Sequence, residues 1–562
     1  MTTTVFLIAA TAVFAHSKIS KELDNLNPES TVDVIVQFKT QPTGAHYAKV
    51  TSRGGQLKSK LDIVRAGAYR ISARELEAIA NEAEVEQIVP DHELRGEATG
   101  STNPAPPAYT VGGWSLVSAS SVQQRIGVAV IDSGMGDGND LHGLTVYSHS
   151  FVNQGTSSYN NNPGDAYGHG THIAGIIGSL GTDSSSSNYP YQYFGVSPVV
   201  DFLNLRVLDA NGSGRDSDVI AAIQQAIALQ TQYNVKIINL SLGRAVTSSY
   251  KVDPLCQAAE AAWKAGIVVV AAAGNYGRDN SYGEQGYGTI LAPGNDPYVI
   301  TVGAMKDMGT YTRSDDLIAS YSSKGPTLID HVVKPDVVAP GNLIVSVQQQ
   351  GATLPTSYPS NRMVGIINGK TNQYLILSGS SMATAFVSGG VADMLALDPN
   401  LTPDQIKARL MKTASKSFPT SSIATDPTTG LSYTSYYDIF TVGAGYVDFN
   451  AAMQDTDLTS LSSLSPSAQY NASTNTTTVV NGQSVIWGSS VIWGTNVIWG
   501  TNVIWGTSVI WGTSVIWGTS TTSAAEALSV IWGTSVPSGS SVTSGSSTAS
   551  AESLKVLISG EK

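Results

Sequence analysis

The amino-acid sequence predicts an α/β fold: a parallel sheet between two layers of helices, preceded by a small α+β unit and followed by a repetitive tail. Three observations point there. From about Val128 to Asp448, short apolar strands alternate with helical stretches. Strands apolar on both faces belong in a sheet covered on each side. A run rich in Gly, Pro and Thr, "GEATGSTNPAPPAYTVGG", separates this region from what precedes it, and beyond Asp455 the composition turns to Ser, Thr, Asn and Gly.

The boundaries follow in chain order. Residues 1–17, "MTTTVFLIAATAVFAHS", read as a signal peptide: Val5 to Ala15 is apolar, too short to span a bilayer, and ends in residues suited to cleavage. No basic residue precedes the apolar run, a departure from the usual pattern. Residues 18–95 form the α+β unit. "VDVIVQF", "YRIS" and "VEQIVPD" are strands, a helix-compatible stretch runs through Lys49 to Lys60, and Ser72-x-x-Glu75 reads as a capping box opening a helix. Residues 96–117 are the linker, 118–455 the main domain and 456–562 the tail.

In the main domain "IGVAVID", "DFLNLRVL", "KIINLSLG" and "IVVVAAAGN" are strands. "GTHIAGIIGSL", "SDVIAAIQQAIALQTQ" and "AAEAAWKAG" are helices. Chemistry in open parallel sheets gathers beyond the carboxyl ends of the strands. In the tail the tetrapeptide VIWG starts at Val485, Val491, Val497, Val503, Val509, Val515 and Val530. The even period of the first six copies keeps Val and Trp on one side of an extended strand and Ile on the other. The tail is therefore expected to be β-rich or else disordered, and it is an aggregation hazard because it carries almost no charge. Attachment to a cell surface is one role for it.

At 562 residues the chain is too long for one compact core. A net charge of -12, with no Lys/Arg cluster, argues against a nucleic-acid partner. One cysteine, Cys256, excludes an internal disulfide framework. No stretch after the N-terminus reads as a transmembrane helix.

Four strand-end or helix-start positions carry chemistry. Asp132 ends "GVAVID", where a half-desolvated carboxylate needs donors or a cationic partner. His169 stands between Gly168 and Gly170, small neighbours that let a peptide backbone approach the ring. Asn275 ends "VVVAAAGN", where its amide can donate into a cleft. In "LSGSSMATAFVSGG" a serine sits at the N-terminus of an apolar helix, among unpaired N–H groups and the positive end of the dipole. Such a place stabilises an oxyanion. Serine itself needs a base, and the base an orienting carboxylate. His172, inside the helix after His169, reads as structural.

At this point the sequence resembles the subtilisin family of serine proteases. "VAVIDSG", "GHGTHIAG", "AAAGN" and "SGSSMATA" occur in that family's order, supported by "RVLDANGSG", "NLSLG", "YSSKGP" and "KPDVVAPG", over residues 115–452. The resemblance implies a subtilisin-like three-layer fold and a serine endopeptidase with polypeptide substrates. It selects Ser381, which directly precedes Met-Ala, as nucleophile, with His169 as general base and Asp132 as its orienter. The Asn275 side chain and the Ser381 N–H would form the oxyanion hole. Gly212, Ser213 and Gly214, together with Ser241, Leu242 and Gly243, correspond to the two segments that pair with an extended peptide. Main-chain pairing ignores side chains, so broad specificity is expected. Ala273 and Gly274 offer a pocket wall whose floor lies near Leu291 to Pro293.

The same resemblance makes residues 18–95 an inhibitory propeptide, laid in the cleft as an intramolecular inhibitor and cut off near residues 95–112, in a protein that is secreted or held at a bacterial cell surface. No cofactor is implied for catalysis. Structural calcium is left open, because Asp140 is one carboxylate and a calcium ion takes six or more oxygens. Two departures stand out. Ala385 and Phe386 replace the family's usual proline and histidine, and the stretches 276–289 and 351–373 are longer than usual, candidates for lids or specificity loops. Two rival readings remain: a binding or surface protein on an inactive fold of this kind, and a cysteine hydrolase using Cys256.

Overall fold

The structure, a computed structural model, describes residues 18–96, the backbone of 99–100, 124–153, 161–185, 189, 191–281, 285–310, 313–363, 373–426, 429–456, 463–471, 476–480 and 561. The signal-peptide stretch, most of the 96–117 linker and every VIWG copy lie outside the described residues.

The chain divides into two compact units, Met1–Asp91 and His92–Lys562. In the first, four antiparallel strands lie in the order Gln56–Leu61, Ala66–Ser72, Thr31–Phe38, Val85–Pro90. Val34, Val36 and Phe38 of the central strand pack with Tyr47, Val50 and Ile79 from the helices Gly44–Thr51 and Leu76–Ala80. Two expectations are corrected here. The stretch through Lys49 to Lys60 is not one helix: the helix ends at Thr51, Gly54 turns the chain at φ 84°, and residues 56–61 are a strand. A positive φ of that kind suits glycine and breaks a helix. The Ser72–Glu75 capping box does not form either. Ser72 ends a strand, its hydroxyl donates to the Pro28 carbonyl, and a 3-10 turn over Ala73–Glu75 leads into the short helix.

In the second unit the order across the large sheet is Leu317–Ile318, Ile300–Lys306, Val268–Ala272, Val235–Leu240, Ile126–Asp132, Val200–Arg206, Thr145–Ser150, with Val337–Pro340 also paired to Ile300–Lys306. Neighbours are parallel except for Leu317–Ile318. Ile126–Asp132 and Val268–Ala272 are buried along their whole length, as strands covered on both faces must be. The helix His169–Gly178 packs against Ser380–Leu397, and Asp216–Ala228 against Pro254–Lys264. Ser380–Leu397 is the only helix among the described residues long and apolar enough to cross a membrane, but 89% of it is buried inside the protein.

Both boundaries of this unit differ from those the composition suggests. Residues 92–96 group with the second unit because Glu93–Gly96 is hydrogen-bonded into it. The tail does not leave the body at residue 455: Val333 N–H donates to the Pro466 carbonyl and Ala468 N–H to that of His331. A hairpin of Ser467–Asn471 and Thr476–Val480 follows.

Candidate active site

Parallel strands deliver their last residues to one edge. Asp132 closes its strand there, Ser241 follows Leu240, and Ala273, Gly274 and Asn275 follow Ala272. His169 opens its helix beside them. Gly170 explains how that helix comes so close: a Cβ there would lie 2.2 Å from the Gly134 carbonyl and 3.2 Å from Asp132 Cβ. The approach places His169 Nδ1 2.7 Å from Asp132 Oδ1, with both side chains fully buried. Asp132 Oδ1 also accepts from Ser133 N–H at 2.7 Å. A ring nitrogen facing a carboxylate carries the proton, which leaves Nε2 as the basic atom. Nε2 is buried and has no hydrogen-bond partner among the described residues.

The four serines of the glycine-rich stretch have four different tasks. Ser378 Oγ accepts from Leu343 N–H, Ser380 Oγ accepts from Gly274 N–H, and Ser388 Oγ donates to Asn239 Oδ1. Ser381 Oγ donates to the Ser241 carbonyl at 3.1 Å, while Ser241 Oγ donates to the Ser381 carbonyl at 3.0 Å. Asn275 Oδ1 accepts from Ser380 N–H at 2.9 Å, which fixes which end of the amide is which. The structure thus forms an Asp132–His169 pair and a Ser381–Asn275–Ser241 group. A bond from Ser381 Oγ to His169 Nε2 is not among its contacts; such bonds are often long or misaligned before substrate binds.

A strand of the chain itself lies beside His169. Glu93–Gly96 pairs antiparallel with Ser213–Arg215 on one side and Leu242–Gly243 on the other. Arg95 faces both Ser213 and Gly243, Gly96 faces Leu242, and Gly96 N–H donates to the Gly212 carbonyl at 3.0 Å. Leu94 is buried above Gly214. A Cβ on Gly96 would stand 3.5 Å from His169 Nδ1. Gly243 and Gly274 both abut Leu291, so the expected wall and floor meet around that side chain.

Two supports escaped the sequence reading. Asp165, buried four residues before His169, accepts from the N–H groups of Tyr167, Gly168 and Thr171 and from the hydroxyls of Ser133 and Thr171. It ties the loop entering the histidine helix to the turn after Asp132. A lone acid among small residues before a glycine-flanked histidine was the available signal. Arg244, next to Gly243, binds both Asp216 and Asp253 at 2.8 Å. Burial opposes its charge, but Asp216 and Asp253 outweigh that and hold its pKa above the ordinary value. The bridge joins the ends of the two segments that flank the cleft strand.

Other expectations resolve simply. His172 Nε2 donates to the carbonyls of Ile344 and Leu375, a structural role. Cys256 is buried, bonds Asn295 Oδ1, and has its thiol pKa pushed up by burial, the opposite of an activated nucleophile. The helix runs unbroken through Ala385, and Phe386 packs on Phe449. Within the longer 351–373 stretch, Thr353 and Leu354 donate to the carbonyls of Ala166 and Tyr167, bracing the approach to His169. Asp140 is engaged within the protein: its oxygens accept from Tyr374 O–H, Ser179 O–H and Asp183 N–H.

Comparison with known proteins follows the same outline. Residues 123–432 match the pattern of the subtilase family. The chain is 32% identical over 415 residues to serine protease AprX of Bacillus subtilis (strain 168), covering 71% of this chain and 86% of that protein. It is 31% identical over 418 residues to subtilisin E of the same organism, covering 73% and 92%. The crystal structure of fervidolysin from Fervidobacterium pennivorans superposes with a TM-score of 0.55 at 20% identity; the match spans 77% of this chain and 62% of that one, and supports the fold alone.

Proposed function

The chain belongs to the subtilase family and is a serine endopeptidase, and from that premise we propose that Asp132, His169 and Ser381 cleave peptide bonds in a protein made as a self-processing zymogen. Ser381 Oγ turns from the Ser241 carbonyl toward His169 Nε2, gives it a proton and attacks the substrate carbonyl. The Asn275 side-chain NH₂ and the Ser381 N–H receive the oxyanion. His169 then protonates the leaving amine, which departs and leaves an acyl-enzyme. Water, deprotonated by the same nitrogen, releases the acid and restores the Ser381 hydroxyl. Asp132 holds the ring and stabilises its charged form. Side chains and water suffice, so no cofactor takes part.

One observation carries this reading: Glu93–Gly96 occupies the groove as a third strand, in contact with the segments expected to bind substrate and beside His169. It follows the N-terminal unit directly in sequence. That unit is the inhibitory propeptide, its tail is the first substrate, and processing falls in the stretch just after Gly96. Pairing through main-chain groups gives broad specificity, modulated by the apolar site that takes Leu94. Export through residues 1–17, and a final location outside the cell or at its surface, complete the proposal.

Expression of the wild-type chain and the Ser381→Ala variant tests it. Wild type alone should lose its N-terminal unit, show a new N-terminus shortly after Gly96 and digest casein. Equal processing of both chains would overturn it, and two intact, inactive chains would favour a binding protein on the same fold.

A further inference from the structure

Far along the sequence from everything else described, Glu561 is buried in the second unit, 4% exposed. Its carboxylate meets four donors. Oε1 bonds Lys306 Nζ at 3.0 Å; Oε2 accepts from Ser320 N–H at 2.6 Å and from Ser320 Oγ at 2.8 Å, with Arg278 Nη2 at 3.5 Å. Its backbone is matched as well. Glu561 N–H donates to Asn342 Oδ1 at 2.9 Å, and Asn342 Nδ2 donates to the Glu561 carbonyl at 2.8 Å.

We propose that Arg278, Lys306, Ser320 and Asn342 form a docking site for a peptide glutamate, read through its side chain and its own main chain, and that its occupant is the chain's own Glu561. The chemistry is selective on two counts. Lys306 and Arg278 are themselves nearly buried, with side chains 6% exposed. Charge-assisted bonds from two shielded cations and a backbone N–H favour a carboxylate over any neutral side chain. The paired amide bonds of Asn342 read only the main chain and fix its direction. Aspartate, one methylene shorter, would not reach both Lys306 and Ser320 while keeping the Asn342 pair.

The site is built on the working edge of the sheet. Lys306 ends its strand, Asn342 follows Val337–Pro340 closely, and Arg278 lies three residues beyond Asn275. Arg278 Nε also donates to Ser320 Oγ at 2.7 Å, so the cations and the hydroxyl are pre-arranged. Gly341, next to Asn342, accepts from Gly379 N–H at 2.7 Å, immediately before the Ser381 helix. Docking therefore fastens the far flank of the VIWG-bearing stretch to the body that already holds its near flank through Pro466 and Ala468.

Hydrogen exchange on the full Ser381→Ala chain, which removes self-digestion, tests this. The amides of Ser320 and residue 561 should exchange at least about tenfold more slowly than in a chain that also carries Glu561→Ala. Lys306→Met should release the same two amides; if that variant fails to fold, the Glu561→Ala comparison stands alone, since it alters only the occupant. Adding the acetylated peptide KVLISGEK to the Glu561→Ala chain should restore protection at Ser320, and the peptide with Gln for Glu should not. Equal exchange at Ser320 with and without Glu561, or a Glu561 amide exchanging at the free-peptide rate in the parent chain, would overturn the proposal.

Discussion

Two buried charged clusters, one near each end of the large parallel sheet, are satisfied to different degrees. At the amino end of Ile300–Lys306, Lys334 bonds Asp336 at 2.7 Å and the Val299 carbonyl at 2.9 Å. Lys407 bonds three carbonyls and Ser465 Oγ, and lies 3.3 Å from Asp336. Asp336 also accepts from Thr301 N–H and Ser465 O–H. Burial would raise its pKa, but Lys334 and Lys407 outweigh that and hold it below the ordinary carboxylate value. At the carboxyl end, Asp132 Oδ2 and His169 Nε2 are equally buried and have no partner among the described residues. A saturated cluster holds the fold; an unsaturated one keeps an acceptor ready for a proton. The difference lies in satisfaction rather than in burial or residue type.

The comparison breaks if changes at the two ends have similar effects. Ser381→Ala should lower turnover by about 10⁶-fold and leave the denaturation midpoint nearly unchanged, as read by peptide hydrolysis and urea titration. Asp336→Asn should do the reverse. It strands two buried lysines at a cost of about 3–5 kcal/mol, while kcat/KM per folded molecule stays at the wild-type value. Asn275→Ala should reduce kcat by about 10²–10³-fold, the magnitude known for subtilisin's own oxyanion asparagine, with little change in KM.

A pH titration sharpens the contrast within one helix. Burial first, and the neighbouring His169 second, pull His172 from its ordinary 6.5 down to about 3, against the pull of its two carbonyl bonds. Between those values the unfolded chain holds a proton that the folded chain refuses. Stability is therefore complete above pH 6.5 and falls on acidification toward 3, by at most about 1.4 kcal/mol per pH unit for one such group. Denaturation of the Ser381→Ala chain across that range should show the slope, and His172→Gln should flatten it. Asp165→Asn, the smallest effect, turns amide hydrogens toward some of the donors now facing the carboxylate. It should cost about 1–3 kcal/mol and lower kcat more than it raises KM, because the loop ahead of His169 loses its tie to the Asp132 turn.

Much of this edge was legible in the sequence because strand ends and glycine-flanked residues mark it. Asp132, His169, Asn275 and the serine-rich stretch 377–390 each stand where an apolar run stops or starts, while the choice of Ser381 among its serines came from the family resemblance. The supports were not legible. Asp165 and the Arg244–Asp216–Asp253 bridge depend on partners up to 32 residues away, which no local pattern announces. In the first unit the reading failed where a local signal lost to a tertiary one. Ser72 carries a capping signature, yet the strand it ends delivers its hydroxyl to Pro28, 44 residues away. Glu561 was invisible for the same reason: its partners lie hundreds of residues upstream.

The central claim is that the Ser381 hydroxyl becomes a nucleophile through His169. Peptide mapping after treatment with a fluorophosphonate measures this directly, in the processed wild-type protein and in His169→Ala. The account predicts one phosphonyl group per molecule on Ser381 in wild type, with proteolysis lost in step, and almost none in the variant. An unlabelled Ser381 in a protein that still hydrolyses peptides, or equal labelling without His169, would contradict it.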